Sequence, residues 1–460
     1  EQVMRTVYVE TYGKTYTLTG VSFKRANYIF AGWRDAETGE TYANKAKVSD
    51  LSADGGTVTL VAQWKPTEYA ITYKNLSTWE KEELRTSYNV LDKGLPETPS
   101  RPGCEFGGWF LDSGCKKPFT GELIDRIADI VDPASIDYIV SNHVEMDHSG
   151  GLPALAEIAP KATIVTGAPK GVQGLRAHYG DGLNLVGVKT GDTLNIGKRT
   201  LAFVQTPMVH WPDSMVTYDE FDGILFSNDA FGQHYASSKR FDDEVGLPEV
   251  LVQAQKYYAN IVMPYGKNVE AALKALSGLA FDMIAPAHGI IWRSHVPEIL
   301  EMYEKWSSGI PEEYALVVYD SMWHTTEAMA TEITEAFIEM GIPARLLDLK
   351  VNHISDIMAE VLDARYIAVG SPTLNKTMMP TVASFLCYMR GLAPAGRVGI
   401  PFGSYGWAPM GPNEVYQALE SCKFTLPEAP LTHQWVEDEE GLNALHDAIV
   451  DYVSLFHGKA

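Results

Sequence analysis

The stretch Ile136-Asp137-Tyr138-Ile139-Val140-Ser141-Asn142-His143-Val144-Glu145-Met146-Asp147-His148 decides the fold of the middle of this chain. Its apolar first half predicts a buried strand that leads directly into the polar second half. His143, Glu145 and Asp147 alternate, so an extended loop would point these three side chains the same way. Because His148 follows at once, one short loop can offer ligands to two neighbouring metal ions.

Three more candidate ligands lie farther along the chain. His210, Asp229 and His288 each come at or just after the end of an apolar stretch that predicts a strand. Strand ends belong to a rigid scaffold, which can hold a ligand in place. The predicted metal ligands are His143, Glu145, Asp147, His148, His210, Asp229 and His288.

The chemistry of this ligand set narrows the choice of metal. Imidazoles and carboxylates without a thiolate suit iron, manganese or zinc and disfavour an iron–sulfur site. Zinc hydrolases with a comparable loop carry a histidine where this chain has Glu145. An additional anionic oxygen stabilises a more oxidised metal, so the sequence favours redox-active iron. Asp229 is the natural bridging carboxylate.

The last part of the chain, residues 312–460, repeats a strand, a loop and a helix. Buried strands are predicted at 314–319, 366–370 and 398–402. Strands that alternate with helices indicate a doubly wound parallel sheet, which binds ligands at the carboxyl ends of its strands. Residues 307–311 are a plausible linker to the preceding part.

Polar and aromatic loops follow all three of these strands. The first opens a helix with hydroxyls and backbone N–H groups, and such helix starts hold anions. The chain has neither a GxGxxG motif nor a P-loop, so a terminal monophosphate, as in FMN, is the better match. The alternatives are an ordinary helix cap and loop packing. The predicted flavin-binding residues are Ser321, Met322, Trp323, His324, Thr325, Thr326, Ser371, Pro372, Thr373, Leu374, Asn375, Ser404, Tyr405, Gly406 and Trp407.

Residues 1–115 have a different character. Strands are predicted at 6–9, 57–61 and 69–73, and Tyr28-Ile29-Phe30-Ala31-Gly32-Trp33 is echoed by Cys104-Glu105-Phe106-Gly107-Gly108-Trp109. The pattern resembles the Listeria–Bacteroides repeat, a small β module of bacterial surface proteins, in two copies of which the second is incomplete. Cys104 and Cys115 either form a disulfide or remain two thiols.

The ligand motif and the flavin loops together resemble the flavodiiron proteins. That resemblance implies a metallo-β-lactamase-like αββα domain at 116–306 and a flavodoxin-like FMN domain at 312–460. It implies reduction of O2 to water or of NO to N2O, two iron ions, a head-to-tail homodimer, and a rubredoxin-like electron donor. One iron would be bound by His143, Glu145 and His210. The other would be bound by Asp147, His148 and His288, with Asp229 bridging the two.

The chain departs from the family before Lys116, where the repeats stand in place of the first strands of the metal domain. A gene fusion, a deletion, or the joining of two sequences during sequence assembly near Cys115 would each place the repeats directly before the metal domain. The loss of these strands predicts an unpaired sheet edge and incomplete iron loading. The resemblance implies a cytoplasmic enzyme, whereas the repeats suggest the cell surface. Two alternatives stay open: a metallo-β-lactamase-type hydrolase with a fused flavodoxin domain, and a surface or interaction protein with a non-functional enzyme domain.

Composition excludes some classes of partner. The formal net charge of −22 argues against nucleic acid, since phosphate backbones demand clustered lysines and arginines. No apolar run approaches the length of a membrane span. The sequence starts at Glu1 without an initiator methionine or a signal-peptide pattern, so we expect it to be part of a longer protein.

Overall fold

The structure is a computed structural model that describes residues 13–458 except 22–24, 26, 53–55, 71–86, 92–117 and 437. The chain divides into two compact units, Glu1–Ser113 and Gly114–Ala460. No helix among the described residues is long and apolar enough to cross a membrane.

The first unit consists of short antiparallel strands. The largest sheet has the order β3-β2-β5, and the two other sheets pair β1 with β4 and β6 with β7. The strands are β1 (Tyr16–Thr17), β2 (Tyr28–Asp35), β3 (Thr41–Tyr42), β4 (Lys47–Val48), β5 (Leu60–Pro66), β6 (Tyr69–Ala70) and β7 (Ser87–Tyr88).

The repeated FxGW pattern has a clear physical role in β2. Trp33 is buried, and the ring of Phe30 packs edge-on against Trp33 and Trp64 with centroids 5.1 and 5.6 Å away. Gly32 lies at an irregularity in the pairing of β2 with β5, with φ of 132°. A Cβ at Gly32 would lie 2.6 Å from the carbonyl oxygen of Tyr42, so only glycine fits between the two aromatic residues.

The predicted strands of this unit agree only in part with the strands in the structure. The strand expected at 57–61 begins only at Leu60, and the first copy of the echoed pattern, at 28–33, lies in β2. Of the strand at 69–73, only Tyr69 and Ala70 are described. The predicted strand at 6–9, the second copy of the repeat at 104–109 and the Cys104–Cys115 pair lie outside the described residues.

The second unit begins with a three-stranded parallel sheet of order β10-β9-β8. Among the described residues, β8 pairs with β9 alone, so its other edge has no strand partner. Tyr138, the first residue of β8, is exposed. The elements are α1 (Pro118–Ala128), β8 (Tyr138–Ser141), α2 (Met146–Ser149), α3 (Leu152–Ile158), β9 (Thr163–Gly167), α4 (Lys170–Tyr179) and β10 (Leu185–Val188).

A mixed five-stranded sheet follows, with the order β11-β12-β13-β14-β15. Its strands are antiparallel except for the parallel pair β14–β15. Val165 and Val188 of the first sheet pack with Phe203 and Met215 of the second, so the two sheets form a sandwich. The elements are β11 (Thr193–Asn195), β12 (Thr200–Gln205), β13 (Met215–Asp219), β14 (Ile224–Asn228), α5 (Asp242–Val245), α6 (Leu247–Tyr257), α7 (Gly266–Leu276), β15 (Met283–Pro286) and α8 (Val296–Ser308).

The rest of the unit is a fully parallel sheet of order β17-β16-β18-β19-β20. This is the flavodoxin-like doubly wound order. Neighbouring residues Val317 and Val318 of β16 enter different apolar clusters, because both faces of the sheet are covered. The elements are β16 (Glu312–Tyr319), α9 (Thr325–Glu339), β17 (Ala344–Asp348), α10 (Ile354–Asp363), β18 (Ala364–Gly370), α11 (Pro380–Leu392), β19 (Val398–Tyr405), α12 (Met410–Ser421), β20 (Leu431–Gln434) and α13 (Glu439–Ser454). The predicted fold class is confirmed.

Hydrogen bonds join the sandwich to the parallel sheet. Asn260, in a π-helical turn that continues α6, donates to the carbonyl of Ser355 at 3.0 Å and accepts from the hydroxyl of Tyr388 at 2.8 Å. The buried guanidinium of Arg397 donates to the carbonyls of Gly309 and Leu362 at 3.1 and 2.7 Å. These bonds satisfy buried groups on both sides of the junction and hold it together.

Candidate metal centre and flavin loops

All seven predicted metal ligands meet at one end of the sandwich. The loop after β8 carries His143 and Glu145, and the loop after β12 carries His210. Asp147 and His148 lie in the short helix α2 rather than in the expected extended loop. Asp229 follows β14 directly, and His288 comes soon after β15. Because β14 and β15 are adjacent and parallel, the residues after them meet at the same edge. The sandwich therefore brings together ligands that lie far apart in the sequence.

The first group of ligands consists of His143, His210, Glu145 and one oxygen of Asp229. The Nε2 atoms of His143 and His210 each lie 3.3 Å from Oε2 of Glu145. Both nitrogens also lie 3.8 Å from Oδ2 of Asp229. Four potential ligand atoms thus face a common point.

The second group consists of Asp147, His148, His288 and the other oxygen of Asp229. The Nε2 atoms of His148 and His288 lie 3.4 and 3.3 Å from Oδ2 of Asp147. They lie 3.1 and 3.2 Å from Oδ1 of Asp229. The Asp229 carboxylate therefore stands between the two groups and turns one oxygen toward each.

These distances fit a pair of metal ions. Ligand atoms that each lie about 2.1 Å from one metal are about 3.0–3.4 Å from one another in tetrahedral or octahedral geometry. Most of the separations within each group fall in or next to that range. Hydrogen bonding among histidines and carboxylates does not require seven side chains at such spacing in a half-buried cluster. Two divalent ions, in contrast, would use all seven side chains as ligands.

The electrostatics of the cluster suit metal binding. Burial acts to raise the pKa of Asp229, but hydrogen bonds from His148 and His288 outweigh it, and the pKa is held far below its usual range. Burial lowers the pKa of His210. For His143 burial also acts to lower the pKa, but the hydrogen bond to Asp213 and the charges of Asp213 and Asp229 raise it. The ionised Asp229 and the neutral imidazole of His210 are the forms that bind metal, whereas the hydrogen bond to Asp229 also raises the pKa of His288, so His143 and His288 would each release a proton when a metal binds.

Close backbone approaches shape the loop around His288. A Cβ at Gly289 would lie 2.4 Å from the side-chain oxygen of Gln233, and φ at this glycine is 84°. A Cβ at Gly232 would lie 2.9 Å from the carbonyl oxygen of Asp229. Glycines at both positions let the segment after Asp229 lie directly against the segment that carries His288.

Three polar residues of the site were absent from the sequence-based prediction. Asp213 accepts a hydrogen bond from Nδ1 of His143, and Tyr257 donates one to Asp229. The ring of His234 stacks edge-on against Tyr257 and His288, with centroids 4.8 and 5.4 Å away. Asp213 lies three residues after His210, which is a usable signal. Tyr257 and His234 have no sequence pattern that sets them apart.

The predicted flavin loops lie at the carboxyl ends of three adjacent strands, β16, β18 and β19. The first and third loops touch, since the hydroxyls of Thr326 and Ser404 are 2.9 Å apart. The first loop leads into helix α9, and the second loop leads toward helix α11. All fifteen predicted residues therefore belong to one edge of the sheet.

The first loop fits a phosphate. Ser321 is buried, and its Oγ has no hydrogen-bond partner among the described residues. A buried hydroxyl without a partner is costly, so it indicates a bound group that the hydroxyl would contact. It precedes α9, whose free backbone N–H groups favour an anion. The side chains of Trp323 and Trp407 are 84% and 81% exposed, and these indoles are free to cover a flat ring.

The fold and the two sites define a class: a metallo-β-lactamase-like dinuclear metal protein with a flavodoxin-like domain. Residues 105–289 match the ODP family beta lactamase, and residues 317–445 match flavodoxin. Residues 4–63 and 69–126 match the Listeria-Bacteroides repeat domain.

Known proteins give the family. The chain is 40% identical over 335 residues to the nitric oxide reductase of Moorella thermoacetica, covering 72% of this chain and 84% of that protein. It is 39% identical over 322 residues to the rubredoxin-oxygen oxidoreductase of Megalodesulfovibrio gigas, covering 69% and 80%. The structure of the flavodiiron protein from Giardia intestinalis matches with a TM-score of 0.71 at 36% identity, covering 73% of this chain and 83% of that one. The chain belongs to the flavodiiron protein family.

Proposed function

We propose that this protein reduces O2 to water, NO to N2O, or both, at two iron ions that receive electrons through FMN. The observation that carries the proposal is the position of Asp229, whose two oxygens face two separate groups of histidines. A carboxylate placed in this way bridges two metals. The relatives of this chain include a protein named as a nitric oxide reductase and another named as a rubredoxin-oxygen oxidoreductase.

The ligand assignment follows from the two groups. One iron would be held by His143, Glu145 and His210, and the other by Asp147, His148 and His288, with Asp229 between the two groups. Iron held there would supply electrons and positive charge for the reduction of a diatomic gas. Glu145 in the first group adds an anionic oxygen, which favours iron over zinc and argues against a hydrolase.

The surroundings of the ligands control access to the centre. His143 and Asp229 are buried, whereas the side chains of Glu145 and Asp147 are partly exposed. Of the seven candidate ligands, these two carboxylates are therefore the most open to solvent. Trp211 packs edge-on against His143 with centroids 5.1 Å apart and shields that imidazole from water. This limits competing reactions with solvent during turnover.

The FMN would be held by the fifteen loop residues named above. Ser321 and the start of α9 would hold the phosphate, and the second and third loops, with Trp407, would hold the isoalloxazine ring. These roles place the redox-active ring at the exposed edge of the sheet, where a partner can reach it.

The exposed edge also supports a homodimer. Trp323, Trp407 and Trp435 are all exposed beside the flavin loops, and the backbone of Trp435 bonds to Tyr405. Indoles in such numbers are typical of protein interfaces. We propose that a second copy packs here head to tail, so that the flavin of one subunit faces the metals of the other. A small rubredoxin-like protein would then deliver the electrons.

The proposed domain limits are 1–115 for the repeats, 116–306 for the diiron domain and 312–460 for the FMN domain. We propose a cytoplasmic location, because the enzyme handles electrons from a small reduced carrier. The edge of β8 that has no strand partner among the described residues stays a reason to expect iron below two per chain.

The decisive experiment is anaerobic reduction of the purified chain, followed by measurement of O2 and NO consumption with iron and FMN quantified. We expect consumption of at least one gas in proportion to iron content and FMN content. A protein that binds zinc and consumes neither gas under NADH-linked reduction would instead be a hydrolase.

A further inference from the structure

One buried carboxylate outside the ligand set is bound directly to a predicted iron ligand. Asp213 lies in the loop between β12 and β13, and only 6% of it is exposed. Its Oδ2 accepts a hydrogen bond from Nδ1 of His143 at 3.0 Å and a second from the backbone N–H of Val144 at 2.8 Å. Since this oxygen is the acceptor in both bonds, Nδ1 of His143 carries the proton. The other ring nitrogen, Nε2, is then left with its lone pair toward the metal position.

The arrangement distinguishes one iron position from the other. Among the described residues, His143 is the one histidine of the cluster whose Nδ1 contacts a carboxylate. The recorded polar contacts of His148, His210 and His288 go through Nε2 to ligand carboxylates. The two metal positions therefore have different environments beyond their ligands.

Asp213 also connects two ligand-bearing loops. It sits three residues after His210, so the bond to His143 ties the loop after β12 to the loop after β8. Strand β13, which follows Asp213, is joined to the loop after β8 by the backbone N–H of Met215, which donates to the carbonyl of Asn142 at 3.0 Å, and by the hydroxyl of Thr217, which donates to the Asn142 side chain at 2.7 Å. Asp213 is thus fixed relative to both His143 and His210.

We propose that Asp213 is a positioning residue that fixes the tautomer of His143 and strengthens it as an iron ligand. The inference rests on the proposed diiron function. An anionic acceptor on Nδ1 increases the electron density that Nε2 donates, so the iron bound by His143, Glu145 and His210 is bound more tightly and is more easily held oxidised. The other iron has no such carboxylate behind its histidines among the described residues.

The test compares Asp213→Asn and Asp213→Ala with the unchanged full chain. Asn keeps an oxygen for both hydrogen bonds but removes the charge, whereas Ala removes both. We expect Fe2+ affinity at one of two positions to fall roughly 10- to 100-fold in the Ala variant and by less in the Asn variant. In the Asn variant we also expect a higher diiron reduction potential and a change in only one of two ⁵⁷Fe Mössbauer components. Thermal melting followed by circular dichroism reports on whether each variant is folded.

Asp242→Asn is the matched control. Asp242 is fully buried, and its Oδ2 accepts from Nδ1 and the backbone N–H of His295 at 2.9 and 2.7 Å, but His295 is not a metal ligand. We expect this variant to lose stability without any change in iron affinity or potential.

The results separate this inference from the proposed function. An Asp213→Asn protein with unchanged iron affinity, potential and spectrum overturns the role of Asp213, whatever the activity. A full chain that binds two Fe2+ but consumes neither O2 nor NO overturns the proposed function and leaves the comparison of variants valid. A full chain that binds no Fe2+ overturns both.

Discussion

The hydroxyl of Tyr257 donates a hydrogen bond of 3.0 Å to Oδ1 of Asp229. Tyr257 is the last residue of α6, immediately before the π-helical turn at Tyr258–Val262. Burial, followed by the charge of Asp229, raises the pKa of this hydroxyl far above its ordinary value, so it stays a neutral donor. The bond draws electron density from the carboxylate oxygen that faces His148 and His288.

We therefore predict that Tyr257→Phe makes the bridging carboxylate a stronger donor and lowers the diiron reduction potential. Phe fits the same buried volume, so the stability loss should be only about 0.5–1.5 kcal/mol, as for one hydrogen bond. Redox titration followed by the iron spectrum measures the first effect and thermal melting the second. A potential equal to that of the unchanged chain would show that the bond has no electronic role.

Ser321→Ala should weaken FMN binding without weakening the fold. The hydroxyl has no partner among the described residues, so its loss leaves no protein group unsatisfied. A bond to a charged phosphate is worth about 1.5–3 kcal/mol, which predicts about 10- to 100-fold weaker FMN binding. Quenching of FMN fluorescence by the apoprotein measures the affinity. The control is Ser307→Ala, since buried Ser307 bonds the carbonyl of Glu304 and lies outside the loops; equal FMN affinities in the two variants would contradict the assignment.

The fold of residues 118–458 and the clustering of the seven candidate ligands were predictable because they depend on local signals. A ligand such as His143 or Asp229 follows a strand of buried apolar residues, and a parallel sheet places successive strand ends together. The alternation of strands and helices after Glu312 likewise fixed the order of elements. Such patterns extend over a few residues and need no knowledge of distant contacts.

The contacts between distant segments were not predictable. Asp213 and His143 are 70 residues apart, and Tyr257 and Asp229 are 28 apart, so no periodicity joins them. The start of the strand at Leu60 was also missed. There the alternation of Thr57-Val58-Thr59 matches a strand, but the antiparallel partner β2 ends at Asp35, which pairs with Leu60. The length of a strand is set by its partner as well as by its own sequence.

Glu145→His should convert the preference of the site from iron toward zinc. Oε2 of Glu145 lies 3.3 Å from Nε2 of both His143 and His210, so its replacement removes an anionic ligand from that position. We expect a higher zinc-to-iron ratio after expression with both metals and at least a roughly tenfold loss of O2 or NO consumption. Glu145→Asp keeps the charge and serves as the control. If the Glu145→His variant contains as much iron as the unchanged chain, the prediction is wrong.

Stability at low pH should depend on Glu313. This carboxylate accepts from His457, Tyr366 and Arg365. Burial acts to raise its pKa, but these hydrogen bonds hold it below the ordinary value of 4.5. The stabilisation is therefore fully present above that value and is lost as the pH falls through the lower pKa of the folded state.

Glu313→Gln should accordingly lower the melting temperature at about pH 6, and the difference from the unchanged chain should shrink toward about pH 3. Thermal melts followed by circular dichroism across this range test it. Exposed Glu157, changed to Gln, is the control and should give no pH-dependent difference. If the difference in melting temperature between Glu313→Gln and the unchanged chain stays constant with pH, ionisation of the Glu313 carboxylate is not the cause of that difference.

Trp435→Asp should weaken the proposed homodimer. This indole is 63% exposed at the flavin edge and is not one of the fifteen predicted FMN residues, and burying a charge there against a second copy is costly. We expect light scattering to show a larger monomer fraction. Gas consumption, which requires electrons to pass from flavin to iron, should be slower. Direct reduction of FMN by dithionite should be unchanged. Phe221→Asp is the control, because Phe221 is also exposed but lies in the turn after β13. If both variants remain dimeric, the second copy must pack on a different face, and the exposed indoles are then free to receive the electron donor.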